Sequence, residues 1–514
     1  MTDIHPELKA EQEHIDLAYR RLEEARQEAL RLKDTIEVGR GGTTQARWER
    51  EVFYENIANR LRELDFGERS LCFGRIDQDE DNGGGSYHIG RVAVSSATQD
   101  PLIVDWRAPV SEAFYRATGR DPQGLVRRRH FTSRGRKVLD LEDEFFGEAV
   151  TQSRVMINGR ELRGTGALIN ALEENRTGRL GDIVGTIQAE QDEIIRSGLH
   201  GVLVVQGGPG TGKTVVALHR AAYLLYAHRF PLEGQGVLVV GPNRLFLGYI
   251  EQVLPSLGEA GVELAVLADL VPGVRVSGRD ETAAARIKGD LRMAPVVRRA
   301  LRDRQRPLIA DLIVPLGARK IRLPAAVSER IVTEARRRFR SHNAARKYVV
   351  AELYEALAEH HPDPVSADMV REQLADSDEV REALLWMWPV LTPAQLIHDL
   401  YGSRALIRSA APNLDGDERE ALYRAWQPDK VVDGMVWTTD DVPVLDEAYE
   451  ILGPRPTKKA QDEVRTYGHI VVDEAQDLSP MQLRMVARRS LNGSMTLVGD
   501  IAQATGAWAH DDWD

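Results

Sequence analysis

One glycine-rich loop constrains the fold of this chain more than any other feature of its sequence. An apolar run, Val202–Val205, precedes the loop, and a helical pattern over Thr214–Tyr226 follows it. The loop reads Gly207-Gly208-Pro209-Gly210-Thr211-Gly212-Lys213-Thr214 and fits the pattern G-x-x-x-x-G-K-[ST] at every position. Backbone N–H groups of such a loop surround phosphate oxygens, and the N-terminus of the following helix adds partial positive charge. The sequence therefore predicts an α/β fold with a phosphate-binding loop after a buried strand.

An acid pair after another apolar run extends the predicted phosphate chemistry. His469–Val472 is a predicted buried strand that leads directly into Asp473 and Glu474. Together with the loop, this pair predicts that Lys213 contacts the β- and γ-phosphates of a nucleotide and that Thr214 and Asp473 ligate Mg²⁺. Glu474 is the candidate base for the attacking water.

Two glutamines lie next to the predicted strands of this region. Gln191 ends the segment Ile187–Gln191, shortly before the loop strand, and resembles the glutamine that pairs with N6 and N7 of adenine. Gln503 ends the segment Gly499–Gln503 after a predicted strand, Met495–Val498, where it could sense the γ-phosphate. Each glutamine alone is equally compatible with a solvated side chain. With the loop and the acid pair, both indicate parts of one ATP site.

A large insertion is predicted between the loop and the acid pair. Lys213 and Asp473 are 260 residues apart, whereas a sheet of about five strands needs only a few tens of residues per strand. The stretch 272–467 is predicted to be mainly helical, and its segment 286–347 holds 18 Lys and Arg against 5 Asp and Glu. This basic block, in a chain of net charge −12, indicates either a local partner surface or a solvated helical face such as Glu334–Arg340.

The N-terminal region is predicted to contain a helical hairpin and a small β-rich domain. An apolar heptad runs from Leu8 to Ile36, and a second helical pattern covers about Gln45–Leu64. Glycines between them favour an antiparallel coiled-coil hairpin over 1–65, either a projecting arm or a hairpin packed on a globular body. Residues 66–150 form the predicted β-rich domain, and 151–185 form a polar linker. The short β-like runs are Tyr87–Ile89, Arg91–Val94, Leu102–Val104 and Val138–Leu141.

Composition excludes several classes of protein. Cys72 is the single cysteine, which excludes an internal disulfide framework and a cysteine-based zinc cluster. The polar N-terminus lacks the apolar segment of a secretory signal, and no apolar run reaches the roughly 18 residues of a transmembrane helix. We therefore expect a soluble, cytoplasmic protein without membrane contact. The net charge of −12 argues against a large surface for duplex DNA.

The ordered motifs resemble motifs Q, I, II and III of superfamily 1 helicases of the UvrD-like type. In the N-terminal half, four segments resemble the HelD family of ATPases, which remove and recycle stalled RNA polymerase. These segments are Ile89-Gly90-Arg91, Asp105-Trp106-Arg107-Ala108-Pro109, Phe114-Tyr115 and Arg127-Arg128-Arg129.

The resemblance implies a fold, two ligands and a partner. The fold is a RecA-like P-loop NTPase lobe made of 186–271 and 468–514, interrupted by the helical insertion. The ligands are ATP, bound by Gln191 and the eight loop residues, and Mg²⁺. The partner is core RNA polymerase, with the hairpin in its secondary channel, the insertion at its primary channel and nucleic acid as a secondary partner.

The position of the last motif gives a further expectation. Asp514 follows Gln503 by 11 residues, which leaves no room for a second RecA-like lobe or motifs IV to VI. We therefore expect a C-terminally truncated motor that binds ATP weakly and hydrolyses it poorly. Two alternatives remain at this stage: a UvrD-like DNA helicase or translocase fragment, and a non-catalytic polymerase-binding module with a vestigial half-site. Tight, salt-sensitive binding of single-stranded DNA would favour the helicase.

Overall fold

The computed structural model describes most of the chain and divides it into two compact units. The described residues are 5–35, 53, 54, 57, 61, 70–146, 187–228, 232, 234–253, 262–317, 319–425, 436–454, 464–504, 508 and 513. The first unit comprises Met1–Ala265, Tyr467–Glu474 and Leu491–Asp500, and the second comprises Val266–Thr466, Ala475–Ser490 and Ile501–Asp514. The predicted linker 151–185 and most of the predicted helix Gln45–Leu64 lie outside the described residues.

The first unit begins with a long helix, α1 (Leu8–Thr35), and a six-stranded sheet. The strands of this N-terminal sheet are β1 (Cys72–Gln78), β2 (Ser86–Gly90), β3 (Val94–Ser95), β4 (Pro101–Asp105), β5 (Leu125–Arg134) and β6 (Lys137–Phe145). Their order is β3-β4-β2-β1-β5-β6, and all neighbours are antiparallel except β2 and β4. A short helix, Glu112–Arg116, connects β4 to β5.

Helix α1 packs on the N-terminal sheet through its first half. Ile15, Ala18 and Leu22 are buried and share one apolar core with residues of β1, β4, β5 and β6. These positions belong to the two apolar positions of the predicted heptad, so the heptad does mark the buried face. The hairpin itself stays a prediction, because most of its second helix lies outside the described residues.

Only part of the N-terminal sheet is predictable from the sequence. The runs around Tyr87–Ile89, Leu102–Val104 and Val138–Leu141 fall within β2, β4 and β6. The run Arg91–Val94 is instead mostly a bend that leads into β3. Arg91 and Val92 do not pair with a neighbouring strand, and the strand begins only at Val94. Strands β1 and β5 were not predicted, since their charged residues conceal the alternation of a half-buried strand.

The first unit continues with a five-stranded parallel sheet. Its strands are β7 (Val202–Gln206), β8 (Val237–Val240), β9 (Val262–Ala265), β14 (His469–Val472) and β15 (Met495–Gly499). Their order is β7-β15-β14-β8-β9, so two strands from late in the chain lie between two early ones. Every residue of β8 and β14 is buried, as expected for central parallel strands that are covered on both faces.

The described helices beside the parallel sheet in the chain are Ala189–Arg196, Lys213–Ala227 and Arg244–Val253. Strand β9 ends at Ala265, and a 3-10 turn begins two residues later at Leu267. Parallel strands present their carboxyl ends at one edge, where α/β proteins usually bind ligands. The ends of β7, β14 and β15 therefore define the edge that carries the predicted motifs.

The second unit is mainly helical among its described residues. Its described helices are Thr282–Gly289, Met293–Arg302, Ala325–Arg338, His342–Glu359, Ala367–Gln373, Asp378–Met387, Pro393–Tyr401, Arg404–Ala410, Gly416–Leu422, Val442–Leu452 and Pro480–Ala487. Two small sheets were not predicted. One pairs β10 (Val276–Gly278) with β13 (Trp437–Thr438), and the other pairs β11 (Leu312–Leu316) with β12 (Arg319–Leu323). Within the described part of the chain, no helix is both long and apolar enough to cross a membrane.

Candidate functional site at the edge of the parallel sheet

The glycine loop leaves β7 and turns sharply into the helix Lys213–Ala227. Gly210 and Gly212 have φ angles of 73° and 83°, in the left-handed region that side chains with a Cβ rarely adopt. The positive φ at Gly212 allows the helix to begin at the next residue, Lys213. The glycines therefore shape a loop whose backbone faces the start of a helix.

Lys213 folds back over the loop. Its Nζ donates to the carbonyl oxygens of Gly207 and Gly208, at 2.5 and 2.9 Å. The Thr211 hydroxyl donates to Gly208 as well, at 2.9 Å. The ammonium group thus lies within the curve of the loop, bonded to neutral oxygens that a phosphate could replace as its partner.

Thr214 and Asp473 meet although 259 positions separate them along the chain. The Thr214 hydroxyl donates to Asp473 Oδ2 at 2.8 Å. Burial raises the pKa of the Asp473 carboxyl above its ordinary value, and the Thr214 hydrogen bond and the Lys213 charge oppose that rise in part. A hydroxyl and a carboxylate are hard oxygen ligands of the kind that Mg²⁺ prefers.

Thr214 and Asp473 supply only two oxygen ligands, which suits Mg²⁺ better than a metal ion that takes all its ligands from the protein. Among the described residues, no group of three or more His, Cys, Asp or Glu side chains forms a metal cluster. Mg²⁺ commonly takes one or two protein oxygens and completes its octahedron with water and substrate phosphate. The pair Thr214 and Asp473 matches that pattern.

Glu474 follows Asp473 in an unusual backbone conformation. Its φ is 53°, in the left-handed region that a residue with a side chain enters at a cost of about 1–2 kcal/mol. Its backbone N–H donates to Asp473 Oδ1 at 3.0 Å, which helps to hold this turn. The Glu474 side chain is half-buried, so water can reach the carboxylate.

Gln191 also lies at the loop. Its Nε2 donates to the carbonyl oxygen of Thr211 at 3.2 Å, and its Oε1 accepts the N–H of Gln188 at 3.1 Å. The second bond belongs to a capping box that starts the helix Ala189–Arg196. The glutamine singled out by the sequence is therefore adjacent to the glycine loop.

The last predicted site residue, Gln503, belongs to the second unit. Gln503 is exposed in a short 3-10 turn, Ile501–Gln503, which belongs to the second unit. Its role as a γ-phosphate sensor stays a prediction. In the first unit, Gln206 Nε2 donates to Asp500 Oδ1 at 3.0 Å and joins the ends of β7 and β15.

Sequence reasoning missed a group of charged residues behind Gln191. Asp192 is fully buried and accepts hydrogen bonds from Arg116 and Arg196, each at 2.8 Å. Burial raises the pKa of Asp192, and the two arginines offset part of that rise. The pairing with Arg116 spans 76 positions, so no local pattern could reveal it.

The comparison with protein families concerns the N-terminal part of the first unit. Residues 8–155 match the family described as DNA helicase IV HelD, N-terminal domain. The match covers helix α1 and the whole six-stranded sheet, and it supports a relationship to HelD-type, helicase-like proteins. No curated protein matches the chain with significant sequence similarity.

Proposed function

We propose that this chain is a HelD-type factor that uses ATP to release and recycle stalled RNA polymerase. In this proposal, the parallel sheet is a RecA-like lobe that binds the nucleotide. The observation that carries the proposal is the meeting of Lys213, Thr214 and Asp473 at one sheet edge, downstream of a HelD N-terminal domain.

Each side chain at this edge has a separate role toward a bound nucleotide in this proposal. Lys213 exchanges its bonds to loop carbonyls for bonds to the β- and γ-phosphates. Thr214 and Asp473 hold Mg²⁺, which neutralises charge on the phosphates when it is bound. Glu474, half-buried and next to that pair, orients a water for attack and accepts its proton.

Magnesium dependence tests the nucleotide part of the proposal. The affinity of the chain for ATP is measured by calorimetry with and without Mg²⁺, in the wild type and in Asp473→Asn. We expect Mg²⁺ to tighten ATP binding at least about tenfold in the wild type and to have little effect in the variant. Equal magnesium dependence in both proteins would contradict the assignment of Asp473.

The polymerase part of the proposal rests on the family match and on charge. Outside the basic block, the chain is strongly acidic, since a net charge of −12 includes the block's own excess of cations. Acidic surfaces complement channels that are built to hold nucleic acid. Core RNA polymerase is therefore the partner that we propose, ahead of DNA.

Co-purification with core RNA polymerase tests that partner, with single-stranded DNA as competitor. Deleting the whole of α1 would remove core residues, so a point substitution in its second half is a cleaner probe. Leu30 is 42% exposed there, and Leu139 on β6, 50% exposed, provides a matched control. We expect Leu30→Asp to weaken polymerase binding at least about tenfold and Leu139→Asp to leave it unchanged. Binding to DNA alone would favour the UvrD-like helicase instead.

A further inference from the structure

A buried ion pair fixes the short helix that carries Gln191. Asp192 follows Gln191 directly and is fully buried. Its Oδ2 accepts from Arg116 Nε and its Oδ1 accepts from Arg196 Nε, both at 2.8 Å. Arg196 also donates to the carbonyl oxygen of Trp106 at 2.8 Å. Both oxygens of the carboxylate are thus held, one of them by an arginine from outside its own helix.

The orientation of the Gln191 amide is fixed as well. A side-chain amide offers two N–H donors and an oxygen with two lone pairs. The bonds to the Thr211 carbonyl and to the Gln188 N–H use one donor and one lone pair. Among the residues that the structure describes, one N–H and one lone pair of the amide remain. A rotation of the amide by half a turn would break both existing bonds.

The remaining donor and acceptor distinguish one purine from another. Adenine presents the N6 amino donor beside the N7 acceptor, and this pair complements the free lone pair and N–H of Gln191. Guanine presents O6 and N7, which are both acceptors. With its amide fixed, Gln191 would direct its oxygen at O6, and this unfavourable contact would select against guanine.

We propose that Arg116 is a positioning residue for this choice: through Asp192 it fixes the helix that presents Gln191 to the base. The inference rests on the proposed ATP-binding function and extends it to a residue of the HelD-like N-terminal domain. Arg116 ends the short helix Glu112–Arg116, which lies outside the parallel sheet. The Gln191–Thr211 bond is already 3.2 Å long, so a small displacement of the helix breaks it and frees the amide to rotate.

Base selectivity tests the inference, because a merely structural role would not change it. The dissociation constants of MgATP and MgGTP are measured for the wild type, Arg116→Gln and Arg120→Gln. Arg120 is exposed and close in sequence, so it controls for the loss of one positive charge. We expect the wild type and Arg120→Gln to prefer ATP equally, and Arg116→Gln to reduce that preference about tenfold.

A conservative variant keeps the test decisive if Arg116→Gln fails to fold, which thermal melting reveals. Arg116→Lys retains the charge but lacks the rigid guanidinium. We therefore expect its preference for ATP over GTP to be weaker than that of the wild type and stronger than that of Arg116→Gln. Equal weakening of ATP and GTP binding, with an unchanged ratio, would overturn the role of Arg116 while leaving ATP binding intact. A wild-type chain that binds neither nucleotide would contradict the proposed function itself, and with it this inference.

Discussion

The two sheets of the first unit hold their charged residues in opposite ways. In the N-terminal sheet, Arg129 has no exposed surface, and its guanidinium donates to Asp143, Glu7 and Glu11. At the edge of the parallel sheet, Lys213 donates to neutral backbone carbonyls. A cation surrounded by carboxylates stabilises the fold, whereas one bonded to neutral oxygens can exchange them for a phosphate. The difference separates a structural network from a candidate binding site.

Removing the cation of the structural network should have the largest effect. Arg129→Met removes the guanidinium that holds both oxygens of buried Asp143. It also removes one partner of buried Glu11, which keeps Arg75 and His88. We expect the free energy of unfolding of the N-terminal sheet to fall by about 4 kcal/mol. Hydrogen exchange of β1, β5 and β6 in increasing urea measures this change.

The same strand offers the control for this substitution. Arg134 lies at the exposed end of β5, and Arg134→Met should change the unfolding free energy by less than about 0.5 kcal/mol. If both variants lose the same stability, the buried network is not what holds helix α1 to the sheet.

Low pH should have the second-largest effect, a loss of stability of the structural network through protonation of Glu11. Burial raises the pKa of Glu11, but His88, Arg75 and Arg129 outweigh it and lower the pKa from 4.5 to about 2. The stabilisation is therefore complete above pH 4.5 and is lost as the pH falls towards 2, by about 3 kcal/mol in total. Unfolding by urea at a series of pH values measures this slope.

Substitution of Glu11 should make the unfolding free energy depend less steeply on pH in the acid range. Glu11→Gln cannot titrate, so its stability should be lower at pH 7 and should change less between pH 5 and 2. Glu13, an exposed neighbour on α1, supplies the control Glu13→Gln. An acid limb in Glu11→Gln as steep as in the wild type would show that other groups carry the pH dependence.

A substitution in the candidate site should change the affinity for ATP and leave the unfolding free energy almost unchanged. Lys213→Ala removes the cation of the loop, and we expect ATP affinity to fall about 100-fold, which corresponds to about 2.7 kcal/mol. The unfolding free energy should change by less than about 1 kcal/mol, since the lost partners are solvent-accessible loop carbonyls. Calorimetry and urea unfolding measure the two quantities on the same preparation.

Lys137→Ala, at the exposed start of β6, is the matched control for charge. It should leave ATP affinity within about twofold of the wild type. Should Lys213→Ala destabilise the chain as much as Arg129→Met while ATP affinity stays constant, the contrast between the two regions would be wrong.

Two glycines of the loop give the smallest effect. Gly212 has a φ of 83°, and a Cβ there would lie 3.2 Å from Gln191 Nε2, so Gly212→Ala should destabilise the unliganded chain by about 1 kcal/mol. At Gly208, a Cβ would meet no atom within 4 Å, and Gly208→Ala should be nearly neutral. Thermal unfolding of both variants makes the comparison, and equal shifts would show that backbone conformation does not limit the loop.

The sequence was most informative where chemistry demands a strict local pattern. The glycine loop leaves a strand and opens a helix, and Asp473 and Glu474 follow β14, as the sequence pattern indicates. Strand β7 is, however, mostly exposed instead of buried as expected. The phosphate chemistry of these residues stays a prediction. The order of the parallel strands was not predictable. Nothing in the local pattern of β15 indicates that it lies between β7 and β14.

Long-range ion pairs were the part that the sequence could not predict. The Arg127–Arg129 run lies on β5, and Arg129 reaches Glu7 over 122 positions. Arg116 reaches Asp192 over 76 positions. A single sequence shows such residues only as charges, so a buried network resembles a solvated surface until the fold brings the partners together.

Hydrogen exchange of the whole chain, with and without MgATP, tests the central claim most directly. We expect slower exchange in the loop Gly207–Thr214 and at the end of β14, and unchanged exchange in β1 and β5 of the N-terminal sheet. The central claim is contradicted if MgATP leaves the loop unprotected, or if it protects the N-terminal sheet and the loop to the same degree.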